Sequence, residues 1–265
     1  MGSEPVVAFV HGDFGNGESS FGKVAAEIGE NYRTMLLDRP GFADGAAHPE
    51  RYTFAGDAEA LLADISERDV DAFHLVGHSY GALVALTMAL QAPERIKSLH
   101  LIEPPLLRLL NDDTANAMAR RVRELQEAHR DEDLDATTTA FFEMIGAGHV
   151  PERLRDSDDW EQLLRFAPRF ARNEPPGEFP VEHWEALDAS FPILMYSGGR
   201  SHPALQGVTQ MLADTPRVTR HTHIASAGHA VQMAGDAFVT PLLEEIAAAE
   251  AAWIQRRPPA NAPIN

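Results

Sequence analysis

The chain of 265 residues contains no cysteine. Neither a disulfide framework nor a thiolate nucleophile is open to it. Basic residues are scarce: 22 Lys and Arg stand against 40 Asp and Glu, a formal net charge of −18. A chain of that sign repels phosphate backbones and anionic headgroups, so neither nucleic acid nor a membrane is expected as a partner. The charge does not choose among neutral small molecules, and it predicts solubility rather than oligomeric state. No apolar run approaches the roughly 20 residues that a membrane-spanning helix needs. Met1-Gly2-Ser3-Glu4 carries no basic segment, so no secretory signal is expected. Together these absences fit a cytoplasmic protein.

What is present is a regular alternation. Six short apolar segments, at residues 6–10, 34–37, 73–76, 99–102, 193–196 and 218–224, have the composition of buried parallel strands. Helical patterns follow most of them, at 21–29, 54–66, 82–91 and 208–213, and a last helix spans 238–254. Pro93 and Pro216 help to end two of these helices. The alternation predicts an α/β fold with a mostly parallel, doubly wound sheet. The interval 105–188 contains only helical spacing, as in Met118, Val122 and Leu125. It is expected to be a helical cap inserted over the carboxyl edge of the sheet, where open α/β sheets bind ligands. The expected division is a core of 1–104 and 189–254, a cap of 105–188 and a flexible tail of 255–265.

One motif carries chemistry. Gly77-His78-Ser79-Tyr80-Gly81 reads G-x-S-x-G between an apolar strand and a small-residue helix, Ala82-Leu83-Val84-Ala85-Leu86. A strand turning sharply into a helix holds the Ser79 hydroxyl on an exposed elbow, and side chains at 77 and 81 would collide where the two converge. A free serine hydroxyl is a weak nucleophile, so the arrangement needs a base nearby.

With these residues the chain resembles the α/β-hydrolase superfamily over its whole length. The landmarks come in family order: Val10-His11-Gly12, Asp38-Arg39-Pro40-Gly41, the Ser79 motif, Pro93-Glu94-Arg95-Ile96 and Gly228-His229. The family's leading antiparallel hairpin is missing, because His11-Gly12 arrives too early. Where the family usually places its catalytic Asp, after residues 193–196, the chain has Ser197-Gly198-Gly199-Arg200-Ser201-His202-Pro203. Some members carry the acid one strand earlier. Glu103, in Glu103-Pro104-Pro105, occupies that place and resembles the fungal zearalenone lactonases, which use that Glu.

The resemblance implies a role for each residue. Ser79 is the nucleophile, His229 the general base, and Glu103 the carboxylate that orients the imidazole. A competing reading has Ser201 or His202 standing in for the acid in an impaired triad. The oxyanion hole is the backbone N–H of Tyr80 with one from the loop after His11, at Asp13, Gly12 or Phe14. Two readings of the Asp13 side chain stand side by side: it caps its own loop by accepting N–H bonds from Gly15 to Gly17, or it lies near the oxyanion. The Tyr80 phenol points into the pocket or packs beside the elbow. His11 and His78 orient loops, and Asp38 and Arg39 steady a turn. Phe14, Phe141, Phe142, Trp160 and Trp184 are candidates for touching an apolar substrate, and Met144 and Phe166 belong to the same run. His221 and His223 alternate on a strand without further ligands at metal spacing, so no metal is expected. The implied reaction is hydrolysis of a carboxylic ester or lactone through an acyl-enzyme, without cofactor. The same fold also supports C–C cleavage, lyase and cyclisation chemistry on natural-product intermediates, as well as slow-turnover ligand receptors.

Overall fold

In the computed structural model, which describes residues 4–42, 48–110, 112–128, 133–187 and 190–256, six parallel strands form one sheet. They are β1 (Val6–Val10), β2 (Arg33–Leu37), β3 (Phe73–His78), β4 (Ile96–Ile102), β5 (Ile193–Gly198) and β6 (Val218–Ile224). Their order is β2-β1-β3-β4-β5-β6. Every residue of β1, β3, β4 and β5 is buried, whereas the two edge strands expose part of their length. That difference follows from position: inner strands are covered on both faces and edges are not.

Alternate side chains of β1 enter opposite faces. Val7 and Phe9 pack with α1 (Gly17–Ile28) and α11 (Asp236–Arg256), through Phe21, Ile28, Phe238 and Leu242. Ala8 and Val10 join the opposite cluster, with α2 (Phe54–Glu67), α3 (Tyr80–Gln91) and α10 (Pro203–Ala213). Helices on both faces make the doubly wound α/β fold. Asn16 caps α1 reciprocally with Ser19, and the Thr53 hydroxyl accepts from the Gly56 N–H at the start of α2.

Between β4 and β5 the described residues hold only helices: α4 (Asp113–Ala128), α5 (Leu134–Met144), α6 (His149–Leu154), α7 (Asp158–Leu164), α8 (Ala167–Phe170) and α9 (Val181–Ala186), with short 3-10 turns. They form the inserted cap. Phe141 of α5 and Phe170 of α8 lie 4.4 and 5.4 Å, centroid to centroid, from Phe14 in the loop after β1. The cap therefore sits on the carboxyl edge of the sheet. The strand order reverses between β1 and β3, so the loops after them diverge and leave a crevice under the cap.

Several boundaries differ from the sequence expectation: β4 begins at Ile96 rather than 99, α1 at Gly17 rather than 21 and α10 at Pro203 rather than 208. β3 and β5 each run two residues further, to His78 and Gly198, because ladder bonds continue to Ile102 and Ile224. Residues 255 and 256, expected in the tail, end α11; the rest of that tail lies outside the described residues.

Candidate active site

The elbow begins with two glycines that nothing larger could replace. A Cβ at Gly77 would lie 2.6 Å from the Gly81 carbonyl and 2.7 Å from the Ala82 Cα. One at Gly81 would strike the carbonyls of Val10 and His11. Helix α3 thus starts against the backbone of β1. Ser79 takes up the turn at φ 54° and ψ −123°, a conformation costing about 1–3 kcal/mol for a residue with a side chain. Its N–H donates to the Ile102 carbonyl at 2.9 Å, which holds the elbow against β4. Tyr80 opens α3, and a first-turn N–H has no intrahelical acceptor.

Glu103 follows β4 at φ 43° and is completely buried. Its Oε2 lies 2.6 Å from His229 Nδ1 and accepts the Ser201 hydroxyl at 2.5 Å; its Oε1 accepts the Gly198 N–H at 2.8 Å. With the carboxylate ionised, Nδ1 carries the proton and Nε2 is left as the basic nitrogen. Three donors satisfy the buried carboxylate, as a buried charge requires. His229 follows β6, and its ring shares the wall of one cavity with Ser79, Tyr80 and Asp13. That cavity is closed to about 30 Å³, room for one or two waters, and cap residues Met118, Val122, Phe141, Met144 and Ile145 form much of its lid.

A second set of histidines frames these groups. His78 Nε2 lies 3.0 Å from the His229 carbonyl. Burial, then the neighbouring His229, lowers His78 to about 3, so it stays neutral and orients the loop. His11 Nε2 accepts the Arg39 N–H at 3.1 Å, leaving Nδ1–H for the Gly12 carbonyl at 2.8 Å. Burial, and next Arg39, pushes its pKa well down.

The Asp13 side chain does not cap residues 15–17. Asp38 accepts the Gly17 N–H instead, at 2.7 Å. Asp13 Oδ1 accepts from Arg39 at 3.2 Å and from Asn173 Nδ2 at 2.6 Å. These two donors tie that oxygen into a buried network. Arg39 also bonds Asp57 at 2.9 Å, and Asp57 in turn accepts Arg169 Nη2 at 2.6 and 2.9 Å. Arg39 and Asp57 belong to the core, Arg169 and Asn173 to the cap. Arg39 thus does more than steady its own turn.

Of the five aromatic candidates, Phe141 lines the cavity. Phe14 and Phe142 pack behind it, 5.8 Å apart. Trp160 donates its indole N–H to Asp135 at 2.9 Å within the cap, and Trp184 is buried in the core cluster against α3. Neither borders the cavity, because helical spacing buries a tryptophan inside the cap as readily as beneath it. Met144 lines the cavity, whereas Phe166 packs at a tilt against Phe42, centroids 5.3 Å apart. Ser201 and His202 hold no bond to the His229 ring: Ser201 donates to Glu103, and His202 Nδ1 accepts the Ala204 N–H. His221 and His223 both meet the Ser197 hydroxyl, at 2.8 and 3.0 Å. Among the described residues no cluster has the make-up of a metal site. Sequence reasoning had no signal for Asp57, Arg169 and Asn173, which meet across more than 100 residues. Ser201 was detectable, since it stands where an acid was expected.

The chain belongs to the alpha/beta hydrolase fold family, whose profile matches residues 5–236. An uncharacterized hydrolase, YraK, of Bacillus subtilis is 31% identical over 136 residues, 49% of each chain. The pimeloyl-[acyl-carrier protein] methyl ester esterase of Aeromonas salmonicida is 27% identical over 177 residues, 66% of this chain and 67% of its own. The first curated relatives are matched over about half of their length or less. An alpha/beta hydrolase from Sphaerobacter thermophilus superposes with a TM-score of 0.68 at 23% identity, covering 93% of this chain and 94% of its own. MenH from S. aureus does so at 0.70 and 16%, covering 94% and 96%. At these identities the structural likeness speaks for the fold.

Proposed function

We propose that the protein is a serine hydrolase of carboxylic esters or lactones, working through a Ser79–His229–Glu103 relay beneath a cap of residues 105–188. The reading is carried by one observation: His229, bonded through Nδ1 to a buried carboxylate, lines the same small cavity as the strained Ser79. His229 Nε2 takes the Ser79 proton as Oγ attacks the substrate carbonyl. The oxyanion is received by the N–H of Tyr80 and that of Asp13 or Phe14, with Gly12 nearby. Collapse expels the alcohol, which His229 protonates, and the acyl group remains on Ser79. Water, deprotonated by His229, then releases the acid and restores the serine. Esterases among the relatives support the substrate class.

The cavity of about 30 Å³ is smaller than any such ester, so the site must widen for substrate to bind. A dry, apolar chamber strengthens the oxyanion bonds once it recloses. Steady-state hydrolysis of p-nitrophenyl butyrate and hexanoate tests the reading. Multiple turnover that falls by at least about 10³-fold in Ser79→Ala and His229→Ala is expected. Turnover retained in Ser79→Ala but lost in His229→Ala would instead make His229 act on substrate directly.

A further inference from the structure

The proposed reaction uses the backbone N–H of Tyr80 and leaves its side chain without a task. Tyr80 is one of the residues lining the cavity, and its ring is held in place. Phe54 stacks on it with centroids 4.6 Å apart at 25°, and the guanidinium carbon of Arg39 lies 4.0 Å from the ring centroid. The hydroxyl is buried and has no hydrogen-bond partner. Most of the cavity that Tyr80 helps to line is apolar, with Pro105, Leu107, Met118, Val122 and Phe141 among its walls, while Arg39, Asp57, Arg169 and Asp13 are the charges nearest the phenol. The cavity's other polar groups are engaged: Ser79 and His229 by the reaction, Asp13 Oδ1 by Arg39 and Asn173.

We propose that Tyr80 selects substrates, its phenol donating a hydrogen bond to an oxygen acceptor set several bonds away from the carbonyl under attack. The substrate class is then an ester or lactone with an apolar body and one internal keto, ether or second ester oxygen. The inference rests on the serine-hydrolase reading for the reaction and extends it to recognition. Burial raises the phenol pKa well above its usual value, so the group is a donor throughout the neutral range. A hydrocarbon chain in the same place leaves a buried donor unmatched, and a site built to pair a polar group discriminates strongly against the analogue lacking it.

The test compares p-nitrophenyl hexanoate with its 3-, 4- and 5-oxo derivatives. In the wild-type protein one oxo ester is favoured in kcat/KM by at least about tenfold, and in Tyr80→Phe the ratio falls to about one. A purely structural role for the phenol would lower all four esters alike. That outcome, a preference surviving in Tyr80→Phe, or no preference in the wild type overturns the proposal. Calorimetric binding of the corresponding methyl esters to Ser79→Ala and to Ser79→Ala/Tyr80→Phe reads the contact without turnover. Tighter binding of an oxo ester only where Tyr80 is present supports it, even if the wild type hydrolyses none of the esters and the hydrolase reading fails. Equal binding of all four esters to Ser79→Ala overturns it.

Discussion

Glu103 sits at a left-handed φ of 43°, as do Phe14 at 52° and Ser79 at 54°. Each of the three follows the end of an inner strand, β4, β1 or β3, so strain gathers where the site is assembled. The Glu103 carboxylate is shared between His229 and Ser201, and the two contacts have different consequences. Glu103→Gln replaces an ionised acceptor by a neutral amide that cannot support an imidazolium. Its kcat for p-nitrophenyl esters is expected to fall on the order of 10³- to 10⁴-fold. Ser201→Ala keeps the charge and removes one donor, and a drop of about tenfold in kcat is expected. Steady-state kinetics of the two variants at one pH checks both. Ser79 and His229, the proposed nucleophile and base, stood out in the sequence because G-x-S-x-G and Gly228-His229 are local patterns. Glu103, the proposed acid, stood out through a substitution, an expected Asp position filled by Ser201 with a glutamate one strand earlier. The hydrogen bond between the two was not legible, since 98 residues separate them.

At the level of elements, α2 and α8 are joined by a buried ion cluster. Asp57 of α2 accepts both Arg39 and Arg169, and Arg169 on the cap also reaches the Pro40 carbonyl at 2.6 Å. Burial, then repulsion from Arg39, lowers Arg169 only to about 10, so both guanidiniums stay charged at neutral pH. Removing the shared anion leaves two buried cations facing one another. Asp57→Ala should destabilise the fold by about 3–5 kcal/mol in urea titration. Hydrogen exchange should rise first in α8 and the segment to Asn173, where the cap loses its hold on the core. An unchanged midpoint would show the cluster to be idle. None of these partners was predictable from sequence: periodicity places a residue on a helix face, but two elements must dock before their charges meet. The four inner strands were legible for the opposite reason, because burial on both faces writes itself as a continuous apolar run.

Across the whole molecule, several histidines are buried in neutral form. Burial lowers the pKa of His11, His74, His78 and His100. The unfolded chain protonates them near 6.5 while the folded chain does not. Their stabilising effect is full above that pH and is lost as pH falls toward the folded values. For His78, with a folded value of about 3, the loss between pH 6.5 and 5 is about 2 kcal/mol. The melting temperature in 0.15 M salt is therefore expected to drop by several degrees between pH 7.5 and 5. Relief of the net −18 charge works in the other direction and is screened at that ionic strength. A flat or rising melting temperature would contradict neutral burial of these rings.

The relay from Glu103 through His229 to Ser79 is tested most directly by a fluorophosphonate probe followed by peptide mapping. The account predicts one phosphonyl adduct, on the peptide carrying Ser79, absent in Ser79→Ala and formed at least about 100-fold more slowly in His229→Ala and Glu103→Gln. An adduct on another residue, or a labelling rate indifferent to Glu103, would contradict it.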